Sequence, residues 1–112
     1  MTDSRDRVAD MRDAAALARR LMGGRKLDAF TSDETARYAV SYALVILGQA
    51  ANHVPDQVKA HLSQIPWTYL TALRNGLVHG YFAIEPTVLY LVVNCDLPHL
   101  LRTLHNARGV RR

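Results

Sequence analysis

The run Arg74-Asn75-Gly76-Leu77-Val78-His79-Gly80-Tyr81 places a permanent cation, an imidazole and a phenol within eight residues of an otherwise apolar stretch. Arginine offers a planar, always charged fork that matches a phosphate, and histidine takes or gives a proton near neutral pH. Together they form a minimal set for cutting the RNA backbone without a metal. The same residues also fit a purely structural role. A histidine at a helix C-terminus interacts favourably with the dipole, and an arginine one turn earlier can cap carbonyls.

Geometry constrains the chemical reading. On a regular helix, residues five apart lie about 140° apart around the axis, so Arg74 and His79 share a site only if the helix ends between or at them. The spacing predicts that Gly76 loosens the turn and Gly80 terminates it, leaving His79 at the helix end beside a groove and Tyr81 just beyond. One chain still supplies one imidazole. Cleavage of a phosphodiester wants a base for the 2′-hydroxyl and an acid for the leaving 5′-oxygen. A two-fold interface between copies would supply both.

The elements that must hold these residues read as helices. Apolar Val8, Met11, Ala15, Ala18 and Met22 recur at three- and four-residue steps through Ser4 to Met22, with Gly23-Gly24 as a stop. Lys26 to Phe30 reads as a connector, and Thr31 with Glu34 has the spacing of a capping box. No charged residue occurs between Arg37 and Asp56, and Tyr38 to Ala51 is apolar on nearly every face. A helix apolar all round is buried all round, which in a chain this small predicts a homodimer contact, eased by the small Gly48, Ala43, Ala50 and Ala51. A central helix covered within one subunit is the alternative.

A short helix is expected over Pro55 to Leu62 and another from Trp67 to Val78, with Trp67 anchoring the core. A last helix starts at Glu85-Pro86-Thr87 and runs to Leu104, with a kink or break near Cys95 caused by Pro98. No alternating run bounded by hairpin turns marks a strand. The expectation is an all-α bundle forming a single domain over residues 1–112.

Charge and composition narrow the function classes. The net charge is +4, and twelve of the fourteen basic residues are arginine, a modest bias toward an anionic partner. Arg5, Arg7 and Arg12 alternate with Asp3, Asp6, Asp10 and Asp13 in the manner of a solvated helix face, so a basic stripe for passive nucleic-acid binding is lacking. The tail bearing Arg102, Arg108, Arg111 and Arg112 is less balanced. His53, His61, His99 and His105 lack metal-ligand spacing, and Gly23-Gly24 lacks the rest of a phosphate loop. No metal and no cofactor are expected. Cys95, the single cysteine, reads as a small buried hydrophobe. With no apolar run of membrane-spanning length and a densely charged start, the chain is expected in the cytoplasm, off the membrane.

The chain resembles the HEPN superfamily, and more closely its HepT-like ribonuclease toxins, through the Arg-x4-His-x-Tyr pattern at Arg74, His79 and Tyr81. The segments Ile46-Leu47-Gly48-Gln49-Ala50-Ala51, Ile65-Pro66-Trp67 and Arg74 to Phe82 follow in the order and spacing of those proteins, so the likeness covers essentially the whole chain. It implies a HEPN-type bundle of four to five helices, a homodimer that cleaves RNA without a metal at a composite cleft. Arg74 and His79 would come from each subunit, and Asn75 matches the polar residue that follows the arginine. Such toxins pair with a minimal nucleotidyltransferase antitoxin that in some members transfers AMP to the motif tyrosine, here Tyr81. The chain departs from the pattern at Gln49, where relatives carry glutamate, which removes a buried charge while keeping hydrogen-bonding capacity. The alternative is an inactive HEPN dimer that binds a nucleotidyltransferase or nucleic acid.

Overall fold

A computed structural model describes residues 6–80 and 85–106. Every regular element among them is helical: α1 (Arg7–Met22), α2 (Leu27–Thr31), α3 (Glu34–Asn52), α4 (Asp56–His61), α5 (Trp67–His79), α6 (Pro86–Leu91) and α7 (Leu97–Asn106). A single π-helical turn over Val92–Asp96 joins α6 to α7 without a break in right-handed backbone. The architecture is therefore four long helices and two short ones, in agreement with an all-α class.

Local chemistry explains most boundaries. The Asp6 carboxylate accepts from the Ala9 amide at the start of α1, and Gly23, at φ 63°, closes it while donating to the Arg19 carbonyl. The expected connector after Lys26 holds the one-turn α2 instead. Its end consumes the Thr31 and Ser32 hydroxyls, which both donate to the Asp28 carbonyl. Thr31 is thus not a cap, and the first turn of α3 is capped by Asp33, whose carboxylate accepts from the Ala36 amide at 3.0 Å.

Proline shapes the C-terminal helix differently from a simple kink. Pro98 has no N–H to donate, and the chain absorbs this by widening one turn, so that the Leu97 amide reaches back five residues to the Val92 carbonyl. In that register the Val93 carbonyl has no partner on its own helix, and Arg19 Nη1 donates to it at 3.4 Å. The wide turn keeps Val92, Val93 and Leu97 in the core and turns Cys95 outward, so Cys95 is exposed rather than buried. Trp67 packs against the core, as expected, but from its edge. It is half-buried, its indole donates to the Leu62 carbonyl at 3.0 Å, and Lys59 lies over its ring, so it pins the turn between α4 and α5.

The core is built around α3, which packs against α1 on one side and α5 on the other, with α7 backing α1. Met11, Met22, Phe30, Val40, Leu44, Leu47, Leu70, Leu97 and Leu104 are fully enclosed, and burial of each large side chain contributes about 1.5–3 kcal/mol. Within one chain α3 is not covered all round. Ala36, Val40, Ala43, Leu44, Leu47, Gly48, Ala50 and Ala51 line its inner side. The remaining strip, about 100° of the circumference, carries Tyr38, Tyr42, Val45, Ile46 and Gln49 at exposed or half-buried positions.

Candidate active site

The open strip of α3 forms the floor of a groove of about 370 Å³, walled by Arg7 and Asp10 from the start of α1 and by Arg74 from α5. Gly48 sets the distance between floor and wall. A Cβ there would collide with Arg74 Cβ and stand 2.9 Å from the Leu70 carbonyl oxygen. Only glycine lets α5 approach this closely.

That approach brings Arg74 to Gln49. Arg74 Nε donates to Gln49 Oε1 at 2.8 Å, and Arg74 Nη1 donates to Asn75 Oδ1 at 2.7 Å. Both acceptors are neutral amides, and among the described residues no carboxylate lies within ion-pair distance of the guanidinium. The fork is oriented without being neutralised. Arg74 Nη2 makes no hydrogen bond to a described residue. Gln49 is exposed, so glutamate at this position would not be a buried charge, contrary to expectation.

α5 runs regularly through Gly76 and ends at His79, with the Gly80 amide donating to the Gly76 carbonyl. The expected loosening at Gly76 does not occur, because Leu70, Leu73 and Leu77 hold α5 on the core in helical register. Arg74 and His79 therefore sit at the two borders of one outward strip of α5, with Asn75 and the exposed Val78 between them. His79 is exposed and makes no hydrogen bond to a described residue. A single chain thus brings together Arg74, Asn75 and Gln49 and leaves His79 apart. Tyr81 lies outside the described residues.

Three groove residues were not singled out by sequence. Tyr42 stands 67% exposed on the floor, the most exposed large hydrophobic side chain described. Its signal was Tyr38 and Tyr42 at i, i+4 in an uncharged stretch. Arg7 and Asp10, 3.8 Å apart, read in sequence as ordinary surface charges. Among the described residues no group of three or more His, Cys, Asp or Glu is placed to hold a metal ion, and no helix is long and apolar enough to cross a membrane.

Comparison with known proteins bears on the same segments. The family described as "Ribonuclease HepT-like" matches residues 11–107. A protein of Thermococcus cleftensis named "Probable ribonuclease HepT" is 30% identical over 96 residues, spanning 86% of this chain and 87% of that one. A protein of Methanocaldococcus jannaschii named as a "Putative RNase" is 34% identical over 71 residues, 63% of this chain and 65% of its own length. No solved structure matches. With residues 11–107 matched and a relative 30% identical over 86% of this chain, the chain belongs to the HepT-like ribonuclease family.

Proposed function

We propose that the chain is a metal-independent endoribonuclease, the toxin of a toxin–antitoxin pair, that cleaves RNA as a cytoplasmic homodimer with Arg74 and His79 from each subunit. One observation carries the reading: Arg74 is held by two neutral amides at the wall of an open groove, with its full charge available to a phosphate. His79, exposed at the end of the same helix, supplies the proton-transfer group.

The step follows from these groups. One imidazole takes the proton of a ribose 2′-hydroxyl, and the 2′-oxygen attacks the adjacent phosphorus. The bond from phosphorus to the 5′-oxygen breaks, and the second imidazole protonates that leaving oxygen. The products are a 2′,3′-cyclic phosphate and a 5′-hydroxyl. The guanidinium, aimed at the non-bridging oxygens, stabilises the extra charge of the transition state. Arg74 and His79 stand at the two borders of the outward strip of α5, a second copy would bring another imidazole to the guanidinium, and the exposed Val78 between them, outside the groove, is apolar surface that supports pairing.

A minimal nucleotidyltransferase antitoxin that adds AMP to Tyr81 would introduce anions two residues from His79, in competition with substrate phosphate for Arg74. An inactive HEPN dimer that binds such a partner is the second reading, favoured by Gln49 where relatives carry glutamate and by a net charge of only +4. Incubating unmodified protein with total RNA and a chelator separates them. Cleavage that leaves 2′,3′-cyclic phosphate ends and disappears in His79→Ala supports the enzyme, whereas a folded dimer without cleavage supports the inactive module.

A further inference from the structure

Arg74 is not alone in its groove. Tyr42 projects from the floor on the same open strip as Gln49, and its hydroxyl makes no hydrogen bond to a described residue. A large aromatic ring left two-thirds exposed in the same groove as an unneutralised guanidinium is an arrangement suited to a nucleotide. The ring offers a face to a base and the fork offers two donors to the adjoining phosphate. At about 370 Å³ the groove falls in the range of small-ligand sites.

The electrostatics favour the same occupant. Arg7 and Asp10, 3.8 Å apart one turn along α1, offset one another, so among the described lining residues the net charge is that of Arg74. Gln49, which lines the groove, spends its carbonyl oxygen on Arg74 Nε, and its amide nitrogen makes no hydrogen bond to a described residue, so it keeps a donor for a base edge. Val45 and Ile46 supply apolar walls on either side of the ring.

We infer that Tyr42, Gln49 and Arg74 form a nucleotide subsite on each chain, in which Tyr42 stacks on an unpaired base of the RNA strand next to the phosphate gripped by Arg74. The inference rests on the ribonuclease reading for its ligand class. It assigns Tyr42 a positioning role: it fixes where the strand enters, and so which linkage reaches the proton-transfer groups. The same ring could instead be covered by a second copy of the chain, and leucine at this position separates the two cases, because it keeps apolar packing and loses the stacking face.

The test uses the intact protein and a short single-stranded 2′-O-methyl oligonucleotide, which cannot be cleaved, containing 2-aminopurine. Stacking on tyrosine should quench the probe on binding to wild type and to Tyr42→Phe. In Tyr42→Leu the quench should be lost and affinity should fall about 10-fold or more, with the dimer mass unchanged. With cleavable RNA, KM should rise by a similar factor while kcat changes little. Equal quenching and affinity in Tyr42→Leu would overturn the inference, as would a Tyr42→Leu protein that has lost only its dimer. Quenching by wild type in a protein that does not cleave would leave the subsite standing and remove the ribonuclease reading.

Discussion

Two grooves flank α1, both contain arginine, and they use it in opposite ways. On the side facing α7, a groove lined by Arg12, Asp13, Leu101, Arg102 and His105 has Arg12 Nη1 donating to the Leu104 carbonyl near the end of α7. Arg19, Arg25 and Arg37 behave similarly, each donating to backbone carbonyls that a helix end or the π turn leaves without a partner. On the other side, Arg74 donates only to side-chain amides. A guanidinium on backbone carbonyls is committed to closing the fold, whereas one aligned by two neutral amides is pre-oriented and still able to take an anion.

The largest effect expected from this contrast is on cleavage. Arg74→Ala should lower kcat/KM by about 100- to 1,000-fold, the scale of losing a transition-state charge partner, with melting temperature little changed. Arg74→Lys should recover little, since lysine keeps the charge but loses the fork and the bond to Gln49. Arg12→Ala should do the reverse, with cleavage within about 2-fold of wild type and a stability loss of about 1 kcal/mol. Equal losses of activity in both variants would erase the distinction.

Gly48→Ala comes next. Alanine gains about 1 kcal/mol of helix propensity over glycine, but its methyl would meet the Leu70 carbonyl at 2.9 Å and the Arg74 stem, neither of which can swing away. Overpacking of this kind costs about 1–3 kcal/mol, so the net expectation is a lower melting temperature together with displacement of Arg74. Urea unfolding and cleavage should therefore fall together in this variant, as they do not in Arg74→Ala.

A smaller effect is expected at Tyr69, away from the groove, whose hydroxyl donates to Asp96 Oδ2 at 2.7 Å. Partial burial, then the hydrogen bond and the charge of Asp96, push the phenol well above its ordinary range. A raised folded-state value means that the bond stabilises the fold fully below the unfolded tyrosine value of about 10 and loses that contribution as pH climbs through the folded one. Tyr69→Phe should cost about 0.5–1 kcal/mol at neutral pH, given its exposure, and the gap to wild type should close in strongly alkaline buffer. The smallest effect is expected of Gln49→Glu. An exposed ion pair with Arg74 would compete with phosphate and raise KM by about 2- to 5-fold, less so at high salt.

The helical class, the order of the long helices and the neighbours of Arg74 at Gln49 and Asn75 were legible because they rest on local signals: apolar periodicity, proline at helix starts, and a short motif. What sequence missed depends on packing. Asp33 rather than Thr31 caps α3 because α2 occupies the presumed connector and takes the Thr31 hydroxyl. Cys95 faces outward because Pro98 selects a π turn, which shifts the register that helical spacing assumes. The uncharged run of α3 correctly signalled more apolar surface than one chain covers. It could not show that the uncovered part would be Tyr38, Tyr42, Val45, Ile46 and Gln49, since that depends on where α1 and α5 land.

The central claim, that two chains complete one site, is tested most directly by subunit mixing. Wild-type and His79→Ala chains would be unfolded together, refolded at varied ratios, and assayed for RNA cleavage under chelator. If each site needs an imidazole from both chains, mixed dimers are inactive and activity follows the square of the wild-type fraction, about one quarter at equal mixing. Activity that falls in proportion to the wild-type fraction, about one half at equal mixing, would show that each chain cleaves by itself and would contradict the account.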